Sequence, residues 1–319
     1  MPVDEVEAAA LAGHLGEIVG AAHGAPVLVL SGPAPADTGT LTSALSLLPC
    51  VVVAGPGDTS LRPFVDVVPG DDERGAVVDA ALRHPLAATS LVLLLRGGER
   101  RTVEEGLVAE STTYSMLQAS PEFARWRRSH PVRHRRRSGS PLRVERDGDD
   151  LVITLQRQEV HNAYDMAMRD ALVDALRLVA VDPAVRVVLR ADGPSFCSGG
   201  DLDEFGLRPD PATAHTVRLA RSAAYLLSRV ASRVSVEVHG ACYGSGVELA
   251  AFAGRVVAHP DTRFALPEID LGLIPGAGGT VSLPRRIGRH RTALLALTGT
   301  AIDAQTALAW GLVDVLSEQ

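Results

Sequence analysis

From residue 151 onward the chain alternates short strand-like runs with helix-like ones, and that order admits few architectures. LVITLQ (151–156) alternates as a strand does, and residues 165–178 place apolar side chains at helical spacing behind Asp165, a good N-cap. VRVVLRA (185–191) is a buried-strand run closed by the turn Asp192-Gly193-Pro194. A long amphipathic helix is expected over residues 212–230, then the strand VSVEVHG (234–240). A glycine turn, an apolar helix over 246–253 and the strands RVVAH and FALPE complete the pattern. Such repetition predicts an α/β domain, a mainly parallel sheet with helices packed on it.

Residues 1–130 carry a shorter version of the pattern. PVLVLSG (26–32) and PCVVVAG (49–55) read as strands flanking a helix, and helical spacing dominates from Glu73 to Arg128. Between the halves, RWRRSHPVRHRRRSGSP and RVERDGDD (125–150) read as a solvated linker, with a phosphate-contacting patch as the functional alternative. The expected division is residues 1–130, a basic linker over 131–148, and a core over 149–319.

Composition narrows the chemistry. Every one of the 31 basic residues is arginine, so Schiff-base chemistry and lysine nucleophiles are excluded. A net charge of −7 argues against nucleic-acid partners. The 46% hydrophobic content supports a buried core, yet no apolar run approaches the roughly 18–20 residues of a bilayer span. The longest, such as residues 91–95, are strand-sized, and no membrane association is expected. Asp4, Glu5 and Glu7 stand where a signal peptide would be basic. Cys50, Cys197 and Cys242 are unpaired in number and scattered, which fits a reducing cytoplasm. No Cys and His residues have zinc spacing, so no metal is expected.

Two segments run from a strand through a tight glycine turn into a helix: SFCSGGDLDEF (195–205) and CYGSGVELAAF (242–252). A helix start leaves N–H groups without intrahelical partners and carries partial positive charge. Two such turns face to face would aim two N–H donors at one oxygen, as an oxyanion hole requires. Either turn alone is also an ordinary structural element. Glu248 lies in the first turn of an apolar helix, and Glu268 follows Pro267 in FALPEIDLG, again in apolar surroundings. Dry carboxylates have raised or separated pKa values and suit divided acid and base roles. Each glutamate alone could equally serve the helix start or a buried pair.

FCSGGDLDEF, HGACYGSGVELA and FALPEIDLGLIPGAGGTVSLPRRIG, in this order and at these distances, resemble the signature of the crotonase (enoyl-CoA hydratase/isomerase) family. HNAYDMAMRDAL resembles the family's Asn-Ala helix, and LTGTAIDAQTALAWGLVDVL the passage closing its core, so the likeness runs from about Pro141 to Leu316. It implies a crotonase-like spiral, a ββα superhelix, assembled as a homo-oligomer of three or six chains. It implies an acyl-CoA substrate, with coenzyme A as part of that substrate and no other cofactor. By matching position, the N–H groups of Gly200 and Ser245 would form the oxyanion hole. Glu248 and Glu268 would handle water and the α-proton of a 2-enoyl-CoA. Ser198, Asp201 and Leu202 would lie along the thioester and pantetheine.

The sequence departs from the family pattern in places. Ser245 replaces a common glycine, Gln158 the proline before the Asn-Ala helix, Glu159 a frequent basic residue, and Gly254 an acid. These changes bear on the CoA phosphate contacts more than on the chemistry. Family members also continue past the GLVDVL-type segment into helices that cover the site. Here such helices are resembled by residues 64–84 and 101–126. Residues 1–130 are therefore expected to be a degenerate crotonase-like unit lending helices to the core. Other family chemistries (isomerase, thioester hydrolase, decarboxylase) and a non-catalytic scaffold are the competing readings. A serine nucleophile at Ser245 fails the G-x-S-x-G pattern, and GAGGT (276–280) alone is weak evidence for nucleotide binding. Arg218, Arg221 and Tyr225, on the helix expected over the acyl pocket, hint at a polar acyl chain. Trp126, Trp310, Cys197 and Cys242 read as packing residues.

Overall fold

The structure, a computed structural model, describes residues 1–34, 38–133, 139–207 and 210–317. Near the amino terminus, β1 (Val27–Leu30) and β2 (Val51–Ala54) pair in parallel on either side, in sequence, of the helix Thr38–Ser46. The later strands are β3 (Leu142–Asp147), β4 (Asp150–Leu155), β5 (Arg186–Ala191), β6 (Val234–Val238), β7 (Ala241–Tyr243), β8 (Arg255–Ala258), β9 (Arg263–Ala265), β10 (Ile302–Asp303) and β11 (Val315–Leu316). One sheet has the order β11-β8-β6-β5-β4-β3 and is parallel except for its β3–β4 hairpin. A smaller sheet, β10-β9-β7, pairs β7 and β9 in parallel. Burial follows the strand period: Val234, Val236 and Val238 of β6 are in the core while Glu237 faces out.

Two expectations need correction. The hydrophilic RVERDGDD is not linker but most of a hairpin. Gly148, at φ 59°, opens a two-residue turn that sets Asp147 opposite Asp150. As the sheet's outer strand, β3 exposes Val144, Glu145, Arg146 and Asp147, and such a charged edge resists pairing with another chain. Residues 125–129 finish the helix Pro121–Ser129, and residues 134–138 of the expected linker lie outside the described residues. The helix expected over 212–230 is two helices, Pro211–Ala220 and Ala223–Val230. The break follows from capping chemistry, since the Ser222 side chain accepts from Tyr225 N–H and so starts a new helix. Arg221, at the break, reaches Asp170 and Asp174 on the helix Met166–Val181. The strand-sized run at 91–95 belongs to the helix Pro85–Arg96.

The main buried cluster crosses the expected boundary at residue 130. Val77, Leu91, Leu117 and Trp126 belong to it together with Leu176, Val236 and Leu295. A smaller cluster stays within residues 3–65. Arg96 ties the two together, pairing with Asp66 at 2.6 Å and donating to the carbonyls of Leu45, Leu48 and Cys50. No single helix among the described residues is long and apolar enough to cross a membrane.

The helix Val103–Gln118 matters most for the site. Thr102 and Glu105 form a capping box at its start. Gly106, Glu110 and Tyr114, at four-residue spacing, share its buried face. A side chain at Gly106 would meet Val281 at 2.8 Å, so glycine there permits close approach to the helix Gly279–Ile287. That approach brings Glu110 to the start of the same helix.

Candidate active site

The two glycine turns lie side by side. Cys197 N–H donates to Ala241 and Tyr243 N–H to Cys197, a bridge between the two segments. Gly199 and Gly244 both have positive φ, and a side chain at Gly244 would lie 3.2 Å from Gly199 Cα. Tyr164 N–H donates to Gly199 and Asp201 N–H to Tyr164, leaving Gly200 N–H on the other side of that bridge. Ser245 is the first residue of the helix Ser245–Ala250, so its N–H has no intrahelical acceptor. Among the described residues neither N–H donates to the protein, and both residues line a cleft of about 390 Å³.

Glu248 and Glu268 line the same cleft, both buried. Glu248 Oε2 accepts from Ala277 N–H at 2.7 Å and Gly279 N–H at 2.9 Å. Its Oε1 has no protein donor among the described residues. Burial, then the charges of Glu268 and Glu110, hold its carboxyl well above the ordinary range against those two N–H groups. Among the described residues Glu268 Oε2 is buried without a partner, and its Oε1 lies 2.5 Å from where a Gly244 side chain would begin. Burial is the main cause that pushes Glu268 up to about 8.

A third carboxylate, which the sequence reading missed, joins them. Glu110 Oε1 accepts from Gly278 N–H at 2.7 Å, and Oε2 accepts from Thr280 N–H at 2.9 Å and the Thr280 hydroxyl at 2.7 Å. Burial raises it to about 7, opposed by these donors. The N–H groups of residues 277–280 thus go alternately to Glu248 and Glu110. A nucleotide phosphate at GAGGT would need those same groups, so that reading loses its donors. The available signal was the Gly106-Glu110-Tyr114 spacing, a carboxylate within an otherwise small or apolar stripe.

The raised carboxyls make stability depend on pH. Their folded pKa values lie above the ordinary 4.5, so the folded state holds more protons than the unfolded one between about 4.5 and about 8. Stability contributed by the neutral forms is complete below that window and is lost as pH rises through it. Denaturant midpoints measured across it should fall less steeply for Glu268→Gln than for wild type. Parallel slopes would show that Glu268 is not protonated in the folded chain.

The other expected site residues separate. Asp201 lines the cleft, but its carboxylate is held by Arg157 at 3.0 Å. Ser198 is half-buried with its hydroxyl 3.5 Å from the Val160 carbonyl, and the Leu202 side chain is exposed while its carbonyl accepts from Arg127. Neither Ser198 nor Leu202 lines the cleft. Of the three arms expected over the acyl pocket, Arg218 and Arg221 line the cleft and Tyr225 does not. The Ser245 hydroxyl turns onto Cys197 Sγ at 3.8 Å, and among the described residues no histidine hydrogen-bonds it. Cys197 and Cys242 are buried, and burial raises both thiols. Cys197→Ala should therefore leave turnover near wild type, and a thiol reagent should label neither cysteine before unfolding. Loss of turnover in a folded Cys197→Ala variant would contradict this.

A mainly parallel sheet, two apposed glycine turns and buried glutamates in one cleft are the features of a crotonase-type fold. Residues 148–319 match the model of the enoyl-CoA hydratase/isomerase family, and the chain belongs to that family. It is 37% identical to the 2,3-dehydroadipyl-CoA hydratase of Escherichia coli (strain K12), over 54% of this chain and 68% of that protein. It is 34% identical to the 1,2-epoxyphenylacetyl-CoA isomerase of the same organism, over 51% of this chain and 64% of that one. Among solved structures, the enoyl-CoA hydratase from Thermoplasma volcanium GSS1 superposes with a TM-score of 0.53 and 32% identity. That likeness covers 57% of this chain and 73% of the other. Relatives of this kind are named as hydratases and as isomerases, so the likeness supports the family's chemistry without choosing one reaction.

Proposed function

We propose that the chain is an enoyl-CoA hydratase-type enzyme, adding water reversibly to a 2-enoyl-CoA thioester. The observation that carries this reading is the pair Glu248 and Glu268 in one cleft, each keeping a carboxyl oxygen without a protein donor among the described residues. Hydration needs two such groups, one to deprotonate water for attack at the β-carbon and one to deliver a proton to the α-carbon. Between these events the thioester oxygen carries enolate charge, which the N–H groups of Gly200 and Ser245 would stabilise. Asp201 would flank the thioester while held by Arg157. Ser198 and Leu202, outside the cleft lining, would lie along the pantetheine. Coenzyme A enters as part of the substrate, and the enzyme would work in the cytoplasm as a trimer or hexamer.

Residues 1–130 fit a degenerate crotonase-like unit. Support comes from the parallel β1–β2 pair and from Leu107, Glu110, Tyr114 and Phe123 lining the cleft beside Glu248. The test is turnover of a panel of straight and branched 2-enoyl-CoAs. A 3-hydroxyacyl-CoA product is expected. Binding without hydration, or double-bond migration alone, would replace this reading with an isomerase or another family reaction. A chain that binds acyl-CoA and turns over nothing would be a scaffold.

A further inference from the structure

Four arginines line the cleft: Arg127, Arg169, Arg218 and Arg221. Two are neutralised, Arg169 by Asp170 at 2.7 Å and Arg221 by Asp170 and Asp174 at 3.1 and 3.0 Å. Arg127 gives Nη1 to the Leu202 carbonyl, beside the turn expected to follow the pantetheine chain. Arg127 also lacks a carboxylate partner among the described residues, and its Nη2 is buried there without an acceptor. Arg218 differs in having all three nitrogens held by the helix Val103–Gln118. Among the described residues it has no carboxylate within ion-pair distance, yet it sits among the buried side chains of Ser111, Tyr114 and Ser115.

Its partners are all neutral. Nε donates to the Ser111 hydroxyl at 3.1 Å, Nη1 faces Gln118 Oε1 at 3.4 Å, and Nη2 donates to the Ser111 carbonyl and the Ser115 hydroxyl. The guanidinium carbon lies 4.8 Å from the centre of the Tyr114 ring. These contacts fix the plane of the guanidinium without cancelling its charge. A cation removed from water is costly unless an anion meets it. Glu110 is the nearby acid and attracts Arg218 from a distance, but both of its oxygens face Gly278 and Thr280 and it forms no ion pair with Arg218.

We infer that Arg218 forms an anion subsite in the acyl part of the cleft, and that the preferred substrate carries a carboxylate at the far end of its acyl chain. This rests on the acyl-CoA reading proposed above. One Nη1 hydrogen is left undonated by these contacts, so a carboxylate would meet the charge through a single charge-assisted hydrogen bond. Because Arg218 is fixed on one helix, the subsite measures length, and only one span of methylenes between thioester and carboxylate brings the ends together.

The test is calorimetric binding of saturated ligands, which the enzyme cannot hydrate. Hexanoyl-CoA is compared with ω-carboxyacyl-CoAs of four, six and eight carbons, each beside its uncharged counterpart. For wild type, one carboxylated chain should bind at least about tenfold tighter than the neutral chain of equal length, the size of one charge-assisted contact. Arg218→Gln should abolish that difference while changing hexanoyl-CoA affinity little, and Arg218→Lys should keep part of it. The length dependence in wild type needs no variant to fold. Equal affinity for charged and neutral chains, a preference independent of length, or a preference that survives Arg218→Gln would each overturn the subsite and leave the acyl-CoA reading intact. If Arg218→Gln weakens both ligands alike, Arg218 serves the CoA phosphates or the fold, and the inference is wrong. If no acyl-CoA binds, the functional reading fails first and the subsite falls with it.

Discussion

Glu248→Gln and Glu268→Gln should each lower kcat for hydration of a 2-enoyl-CoA by about 10²–10⁴-fold, with little change in fold. Glutamine keeps the volume and removes the ability to exchange a proton. The two variants should not fail in the same way. Glu248 Oε2 is fixed by Ala277 and Gly279, so glutamine there must turn its carbonyl to those donors and present an amide to the cleft. Glu268 has no such anchor on Oε2, and its variant should bind acyl-CoA nearly as wild type does. Burial also makes glutamine the easier residue to accommodate, because both carboxyls are raised chiefly by desolvation. Both variants should therefore be at least as stable as wild type above neutral pH, while being far less active. An active Glu248→Gln or Glu268→Gln enzyme would remove that residue from the chemistry.

Glu110→Ala should have the second largest effect, on stability and activity together. It leaves Gly278 N–H, Thr280 N–H and the Thr280 hydroxyl buried without acceptors. Unmet buried donors cost about 1–3 kcal/mol each. Release of a buried acid offsets part of this, so a net loss of about 3 kcal/mol is expected. The turn that loses Glu110 is the one that holds Glu248, so kcat should fall about tenfold or more even where the variant is folded, since a misplaced catalytic group is ineffective. Glu110→Gln keeps one acceptor and should lie between. Chemical denaturation and steady-state kinetics on the same samples check both parts. Wild-type stability in Glu110→Ala would show that the turn holds itself.

These two results would bear on different halves of the chain, and the halves were unequally legible in its sequence. Strand and helix alternation after residue 151 was readable because β6 buries every second residue and Asp165 caps its helix as its chemistry dictates. The glycine turns were readable because only glycine passes through the φ values at Gly199 and Gly244 without strain. Glu248 and Glu268 stood out as charges among apolar neighbours. Glu110 did not, because it follows Glu104 and Glu105, and a third acid on one helix looks like surface. Its burial depends on Gly106 meeting Val281, a contact across 175 positions of chain that no local pattern encodes. The hairpin β3–β4 was hidden by its charge, which marks an edge strand as readily as a linker. The break before Ser222 was hidden by apolar spacing that continues through it.

The most direct test of the central claim, that this cleft adds water to an enoyl thioester, is turnover of crotonyl-CoA by the wild-type protein in ¹⁸O-labelled water. Mass spectrometry of the product should find one solvent oxygen on the acyl chain of a 3-hydroxyacyl-CoA, formed far more slowly by Glu248→Gln and Glu268→Gln. Label appearing instead in a free carboxylate, a product with a moved double bond and no label, or equal rates in wild type and both variants would contradict it.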